Sequence, residues 1–148
     1  MDEKLLQRVG FCGLHCGKCY AFADGDLHKA AVALKENLGN FEPYAKRFAA
    51  SFDPVFENYD AFKVMLDFFA AADCKGCRET KCALFKTCQV RPCALEKHVS
   101  FCCECPEFPC DLSGMEGPLY DRWVSINQRI RDIGAEAYYE EIKDQPRY

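Results

Sequence analysis

Residues 11–20 read FCGLHCGKCY, and they place Cys12, Cys16 and Cys19 within eight positions. Thiols this close together suit disulfide bonds, a zinc ion or an iron–sulfur cluster. In a Cys-x2-Cys turn, two thiolates three positions apart converge on one ion, and the backbone N–H groups between them face the sulfurs. Gly17 lies inside such a turn, where a positive φ is often needed. The stretch therefore predicts that metal bound to sulfur, and not apolar packing alone, organises this part of the chain.

The composition predicts one soluble domain over residues 1–148 with a cytoplasmic location. Hydrophobic residues make up 49% of the chain and charged residues 28%, which suits one core of ordinary size. No apolar run approaches the roughly 20 residues of a membrane helix, and the N-terminus lacks the apolar core of a signal peptide. Because a cell interior keeps thiols reduced, the twelve cysteines favour metal ligands over disulfides.

A second cysteine block runs from residue 74 to residue 110. Three cysteines separated by two and then four residues begin it, three more with the same spacing end it, and a pair lies between them. Cys103 is set aside, because adjacent side chains point apart and rarely bind one ion together. The candidate metal ligands are therefore Cys12, Cys16, Cys19, Cys74, Cys77, Cys82, Cys88, Cys93, Cys102, Cys105 and Cys110.

The spacing also suggests how these thiols are grouped. Two Cys-x2-Cys pairs about 25 residues apart are a strong zinc signal, so the first predicted four-thiolate site is Cys74, Cys77, Cys102 and Cys105. A second site would join the first triplet to one remaining cysteine of the second block. A third site would need Cys103 or a histidine, for which His15 and His98 are candidates. The alternative for both histidines is a solvated or hydrogen-bonded imidazole. Two or three zinc ions are expected.

An iron–sulfur cluster is the alternative to zinc. The spacing Cys-x3-Cys-x2-Cys also holds the cluster of radical S-adenosylmethionine enzymes, but the residue before their third cysteine is usually aromatic, and here it is Lys18. Their barrel needs far more chain. The bacterial and plant ferredoxin spacings differ from the spacing found here as well. These differences favour zinc, with an iron–sulfur cluster left open.

Residues 24–72 contain no cysteine and are expected to form helices. Asp24 or Asp26 is the predicted N-cap of the first helix, and Gly39 follows its end. A second, shorter helix follows. Asp53 and the proline after it predict the start of a third helix, whose apolar residues recur at 4, 3, 4, 3 spacing as far as about residue 72.

The rest of the chain completes a mainly α fold with at most short strands. Residues 118–144 predict a long helix that ends at Gly134 and a short last helix. Each long helix needs a partner surface for its apolar face, so the helices at 53–72 and 118–133 are expected to pack together. Residues 74–116 are rich in proline and glycine, and bound metal is expected to replace a regular core there.

Five stretches are similar to motifs of one protein family. They are FCGLHCGKC at 11–19, CKGC at 74–77, CQVRPCALEK at 88–97, CCECPEFPC at 102–110 and RIRDIG at 129–134. On these motifs the chain resembles a widespread family of cysteine-rich proteins, domain of unknown function family 3795, over nearly its whole length. The resemblance implies a metal-binding protein and brings no reaction with it. His98 lies where the family usually has glycine, and Cys103 is an extra thiol.

These observations predict a zinc-stabilised module that binds another protein. The net charge of −4 argues against nucleic acid as the partner, and basic residues among the cysteines are expected to neutralise thiolates. Closed four-cysteine zinc sites are structural, and neither HExxH nor the zinc deaminase pattern occurs, which argues against an enzyme. The alternative is a metal- or thiol-dependent enzyme, or an iron–sulfur redox protein, that uses an incomplete site such as Cys12, Cys16 and Cys19. The oligomeric state stays open.

Overall fold

The structure, a computed structural model, describes residues 3–148 and is mainly α-helical, as predicted. Its α-helices are α1 (Glu3–Arg8), α2 (Asp26–Leu38), α3 (Glu42–Ser51), α4 (Tyr59–Ala70), α5 (Val90–Glu96), α6 (Gly117–Ile133) and α7 (Ala135–Ile142). Extended pairing within these residues is limited to the isolated bridges Val9–His15 and Phe22–Cys74. None of the helices in the described part of the chain combines the length and apolar character of a bilayer span.

The first long helices follow the predicted pattern, with two differences at their starts. Gly39 ends α2 with φ of 52°, but the N-cap is Gly25 and neither predicted aspartate: Asp24 pairs with Lys29 at 2.5 Å and Asp26 with Lys18 at 2.6 Å. Asp53 accepts a hydrogen bond from the Val55 N–H at 2.8 Å, as an N-cap does. The turn that follows is a 3-10 helix over Pro54–Asn58, so the α-helix itself begins only at Tyr59.

The predicted packing between the helices at 53–72 and 118–133 is wrong, because each has another main partner. Helix α4 packs against α2, its near neighbour in sequence. Helix α6 packs against α7 and against the turn Cys102–Glu104. The Trp123 ring of α6 lies edge-on to Phe108 with centroids 5.0 Å apart, so the cysteine-rich segment supplies the apolar surface that α6 needs.

The central core lies between α6 and the two cysteine blocks. Its most deeply buried large side chains are Trp123, Phe101, Leu5, Val9 and Asn127. Helix α5, which the sequence did not predict, buries Val90 and Ala94 in the same core. The cysteine-rich segment therefore has some apolar support of its own, and both cysteine blocks meet on one side of the molecule.

Candidate metal centre

Two of the Cys-x2-Cys stretches adopt the same local structure. Cys16–Lys18 and Cys102–Glu104 are 3-10 turns flanked by extended residues. Each turn is closed by a hydrogen bond from the second cysteine N–H to the first cysteine carbonyl, at 2.8 Å in the first turn and 3.1 Å in the second. This geometry places both thiols of a pair on the same side of the backbone.

The expected role of glycine holds in one turn and not in the other. Gly76 has φ of 88°, and its N–H donates to the Cys74 sulfur at 3.4 Å. The Phe85 N–H donates to the Cys82 sulfur at the same distance. Gly17, by contrast, lies in the 3-10 turn, and a Cβ there would meet the Arg8 side chain at 2.8 Å. Gly17 is therefore required for close packing and not for positive φ.

A first group of seven cysteines surrounds one cavity of about 40 Å³. Cys77 lies next to both Cys16 and Cys82 in this group. The neighbouring Cys77 thiol lowers the pKa of Cys16 to about 7 and that of Cys82 to about 5, and these two neighbours raise the pKa of Cys77. The members of this first group are Cys12, Cys16, Cys19, Cys74, Cys77, Cys82 and Cys88.

A second group of four cysteines lines a cavity of about 30 Å³: Cys93, Cys102, Cys105 and Cys110. Burial raises the pKa of Cys102 to about 12 and also raises that of Cys93. The Trp123 Nε1–H lies beside the Cys102 sulfur, buried and without a hydrogen bond of normal geometry. A thiolate held by metal is a better acceptor than a neutral thiol, so this unpartnered donor fits a metal-bound sulfur.

The predicted site that combined Cys74 and Cys77 with Cys102 and Cys105 is not assembled. The first pair lies in the first group and the second pair in the second group. Spacing alone suggested a different grouping from the one that the two cavities show. Between residues 3 and 148, no three Cys, His, Asp or Glu side chains are already arranged to hold an ion. Metal binding at either group therefore requires thiols to turn toward a common centre.

The residues that were set aside or left open lie outside both groups. Cys103 is buried, but its N–H donates to Asn127 and its carbonyl accepts from Arg131. His98 is exposed, with φ of 53°. His15 is not the solvated or hydrogen-bonded imidazole of the second alternative, since both of its buried ring nitrogens lack partners and burial lowers its pKa to about 4. Its ring lies edge-on to Tyr139, with centroids 5.6 Å apart.

Asn127 connects the two cysteine blocks to α6 and was missed from the sequence. Its Nδ2 donates to the Cys12 carbonyl at 2.9 Å and to the Trp123 carbonyl at 3.0 Å, and its Oδ1 accepts from the Cys103 N–H at 3.1 Å. The side chain is 0% exposed. A signal was present, because Asn127 lies four residues after Trp123 and three before Ile130, on the apolar face of the helix.

Arg78 makes a second connection between the blocks. Its Nε donates to the Val9 carbonyl at 3.0 Å, and its Nη2 donates to the Ser100 carbonyl at 2.9 Å. The guanidinium also lies 4.5 Å from the ring centroid of Phe11 and 5.0 Å from that of Phe101. Arg78 thus lies between Phe11, which precedes Cys12, and Phe101, which precedes Cys102. Its contacts with both rings fix the distance between the two groups.

One face of the first group opens into a cleft of about 250 Å³. Four of the seven thiols line this cleft: Cys12, Cys77, Cys82 and Cys88. Lys81, Lys86 and Arg91 line it too, and Arg91 also donates to the Cys77 carbonyl at 2.9 Å. These cations can offset the charge of thiolates at the surface of the cleft.

The fold and the grouped thiols define a mainly α, cysteine-rich protein whose two cysteine groups lie against one apolar core. The family model described as protein of unknown function (DUF3795) matches residues 8–114, and the chain belongs to this family. The matched region contains every cysteine of both groups. Comparisons with curated proteins and with solved structures find no match.

Proposed function

We propose that this chain is a zinc-binding protein whose metal ions stabilise the cysteine-rich half and whose role is to bind another protein. The observation that carries the proposal is the second group, in which Cys93, Cys102, Cys105 and Cys110 share one small cavity. Four thiols are the full ligand set of a closed tetrahedral zinc site. The unpartnered Trp123 N–H beside Cys102 supports a thiolate at that position.

The local structure of the Cys-x2-Cys turns favours zinc over an iron–sulfur cluster. Two Cys-x2-Cys stretches form 3-10 turns, and in a third stretch a backbone N–H donates to the Cys74 sulfur. These are the local features of a zinc knuckle, a turn that binds zinc through two thiolates. All twelve cysteines are free thiols in the structure, which supports a reducing compartment such as the cytoplasm. An iron–sulfur cluster in the first group is the alternative, and it would give a coloured protein.

The proposed partner is a protein because α4 carries apolar side chains on its outer face. Val64 is 70% exposed, Met65 59% and Phe68 60%. Their spacing of one and three residues places them on one side of the helix, next to the ion pair between Lys63 and Asp67. A contiguous apolar patch bordered by charges is typical of a protein–protein contact.

A second candidate function is favoured by the cleft of about 250 Å³. A site with thiol ligands that opens to solvent has room for a substrate or a thiol, which a closed site lacks. In that case the first group would serve chemistry and the second group would serve stability. Alkylation distinguishes the two: a role in stability alone predicts that no thiol of the metal-loaded protein reacts rapidly.

The proposal is tested by comparing two neighbouring cysteines. Cys105→Ser removes a predicted ligand of the second group and is expected to lose one zinc ion per chain and to lower the melting temperature. Cys103→Ser is the matched control, since Cys103 is buried two residues away and its side chain lines neither cysteine cavity. It is expected to keep the full zinc content by elemental analysis. Equal zinc contents in the two variants would refute the assignment of Cys105.

A further inference from the structure

The number of thiols in the first group is incompatible with separate four-ligand sites. A tetrahedral zinc ion takes four ligands, and the group contains seven cysteines around one cavity. Two ions that share one thiolate require seven sulfurs, because the shared sulfur counts for both. The count therefore matches a pair of ions with one bridging cysteine, provided that one thiol lies between two ligand sets.

The first ligand set comes from two Cys-x2-Cys turns that the backbone holds side by side. Cys16 and Cys19 belong to the 3-10 turn, and Cys74 and Cys77 flank Gly76. The two turns are joined by a pair of backbone hydrogen bonds of 2.9 Å each, from the Cys74 N–H to the Ala21 carbonyl and from the Ala23 N–H to the Cys74 carbonyl. The backbone thus holds the two turns together before any ion binds, and their thiols have only to turn toward a common centre.

The second ligand set lines the cleft: Cys12, Cys77, Cys82 and Cys88. The Phe85 N–H donates to Cys82, and the Cys88 N–H donates to the Phe85 carbonyl at 3.0 Å. One short turn therefore presents both Cys82 and Cys88.

Cys77 is the one cysteine that belongs to both sets. It closes the Cys-x2-Cys turn with Cys74 in the first set, and of the four cysteines in the two turns it alone also lines the cleft beside Cys12, Cys82 and Cys88. We infer that the first group is a two-ion zinc centre in which the Cys77 thiolate bridges an ion held by Cys16, Cys19 and Cys74 to an ion held by Cys12, Cys82 and Cys88. This inference rests on the proposed zinc binding. Together with the second group it gives three zinc ions per chain.

The charge around the first group suits such a centre. Seven thiolates and two zinc ions carry a net charge of about −3. Arg147 lies near Cys16 and Cys82, and its positive charge favours their thiolate forms. Its Nη1 donates a hydrogen bond to the His15 carbonyl at 2.6 Å, which fixes the side chain in place. Lys81, Lys86 and Arg91 line the cleft on the other side. Four cations therefore surround the centre.

The test replaces zinc in the full-length protein with cadmium-113 and records its NMR spectrum. A bridging thiolate couples the two cadmium nuclei that it joins. The expected result is three resonances from thiolate-bound cadmium, two of them split by coupling to each other and one unsplit. Cys93→Ser is expected to remove the unsplit resonance and to leave the coupled pair, which also shows that the variant folds.

The outcomes separate the inference from the proposed function. Three zinc ions by elemental analysis with three uncoupled cadmium resonances would overturn the bridge and leave zinc binding intact. Two resonances without coupling between them would overturn the inference in the same way, since one ion of the pair would be missing. Folded protein that binds neither metal would overturn both. Cys77→Ser is expected to abolish the coupling, and a coupled pair that survives this change would exclude Cys77 as the bridge.

Discussion

Replacement of Asn127 by alanine is expected to weaken the attachment of both cysteine blocks to α6. The substitution leaves the buried Cys103 N–H and the buried Cys12 carbonyl without their partners at 3.1 and 2.9 Å. Each unsatisfied buried group costs about 1–3 kcal/mol. The third bond, to the Trp123 carbonyl, adds little, because that carbonyl lies in the helix and keeps its backbone partner. The free energy of unfolding should therefore fall by about 2–6 kcal/mol.

The loss is large compared with the 5–15 kcal/mol that typically stabilises a domain. The assay is urea unfolding of the metal-loaded protein at a fixed zinc concentration, because bound metal shifts the transition. Gln128→Ala is the matched control: its amide donates to Asp132 at the surface, and its loss should change stability by less than about 0.5 kcal/mol. A loss below about 1 kcal/mol in Asn127→Ala would show that these bonds do not hold the blocks.

Three further substitutions test the packing around the groups, each by the same unfolding assay. Arg78→Lys keeps the charge but loses one of the two hydrogen bonds to carbonyls and the stacking on Phe11 and Phe101, so the free energy of unfolding should fall by about 1–3 kcal/mol. An unchanged stability would contradict the position of Arg78 between the two rings. Gly13→Ala should lower the free energy of unfolding by at least about 2 kcal/mol, because φ is 81° and the new Cβ would clash with the Ile126 side chain. An unchanged transition would refute the close approach. Leu66→Ala on the buried face of α4 should lower the free energy of unfolding by about 2–5 kcal/mol. Val64→Ala on the exposed face should change it by less than about 0.5 kcal/mol. Equal losses in the two variants would contradict the assignment of the buried and exposed faces.

The helices could be predicted because their signals are local. The Asp53 N-cap, Gly39 and Gly134 mark helix ends through backbone geometry that depends only on neighbouring residues. The packing of those helices depends on distant contacts, so the partner of α6 was predicted wrongly. Helix α5 was missed because Pro92 and Cys93 lie inside it and suggested irregular chain.

The candidate ligands could be named from the sequence, but their grouping could not. The spacing of Cys74, Cys77, Cys102 and Cys105 suggested one site, yet the first pair lines one cavity and the second pair lines another. Assignment to a group depends on where the chain folds back, and spacing carries no information about that. The polar Asn127 on an apolar helix face was the overlooked sequence signal that connects the blocks.

The most direct test of thiolate-bound metal is the native mass spectrum of the freshly isolated full chain, prepared under reducing, anaerobic conditions. The account predicts a folded chain that carries zinc and no inorganic sulfide, with three zinc ions if the first group holds a bridged pair. Folded protein with the mass of the metal-free chain, or with its cysteines joined in disulfides, would contradict the account.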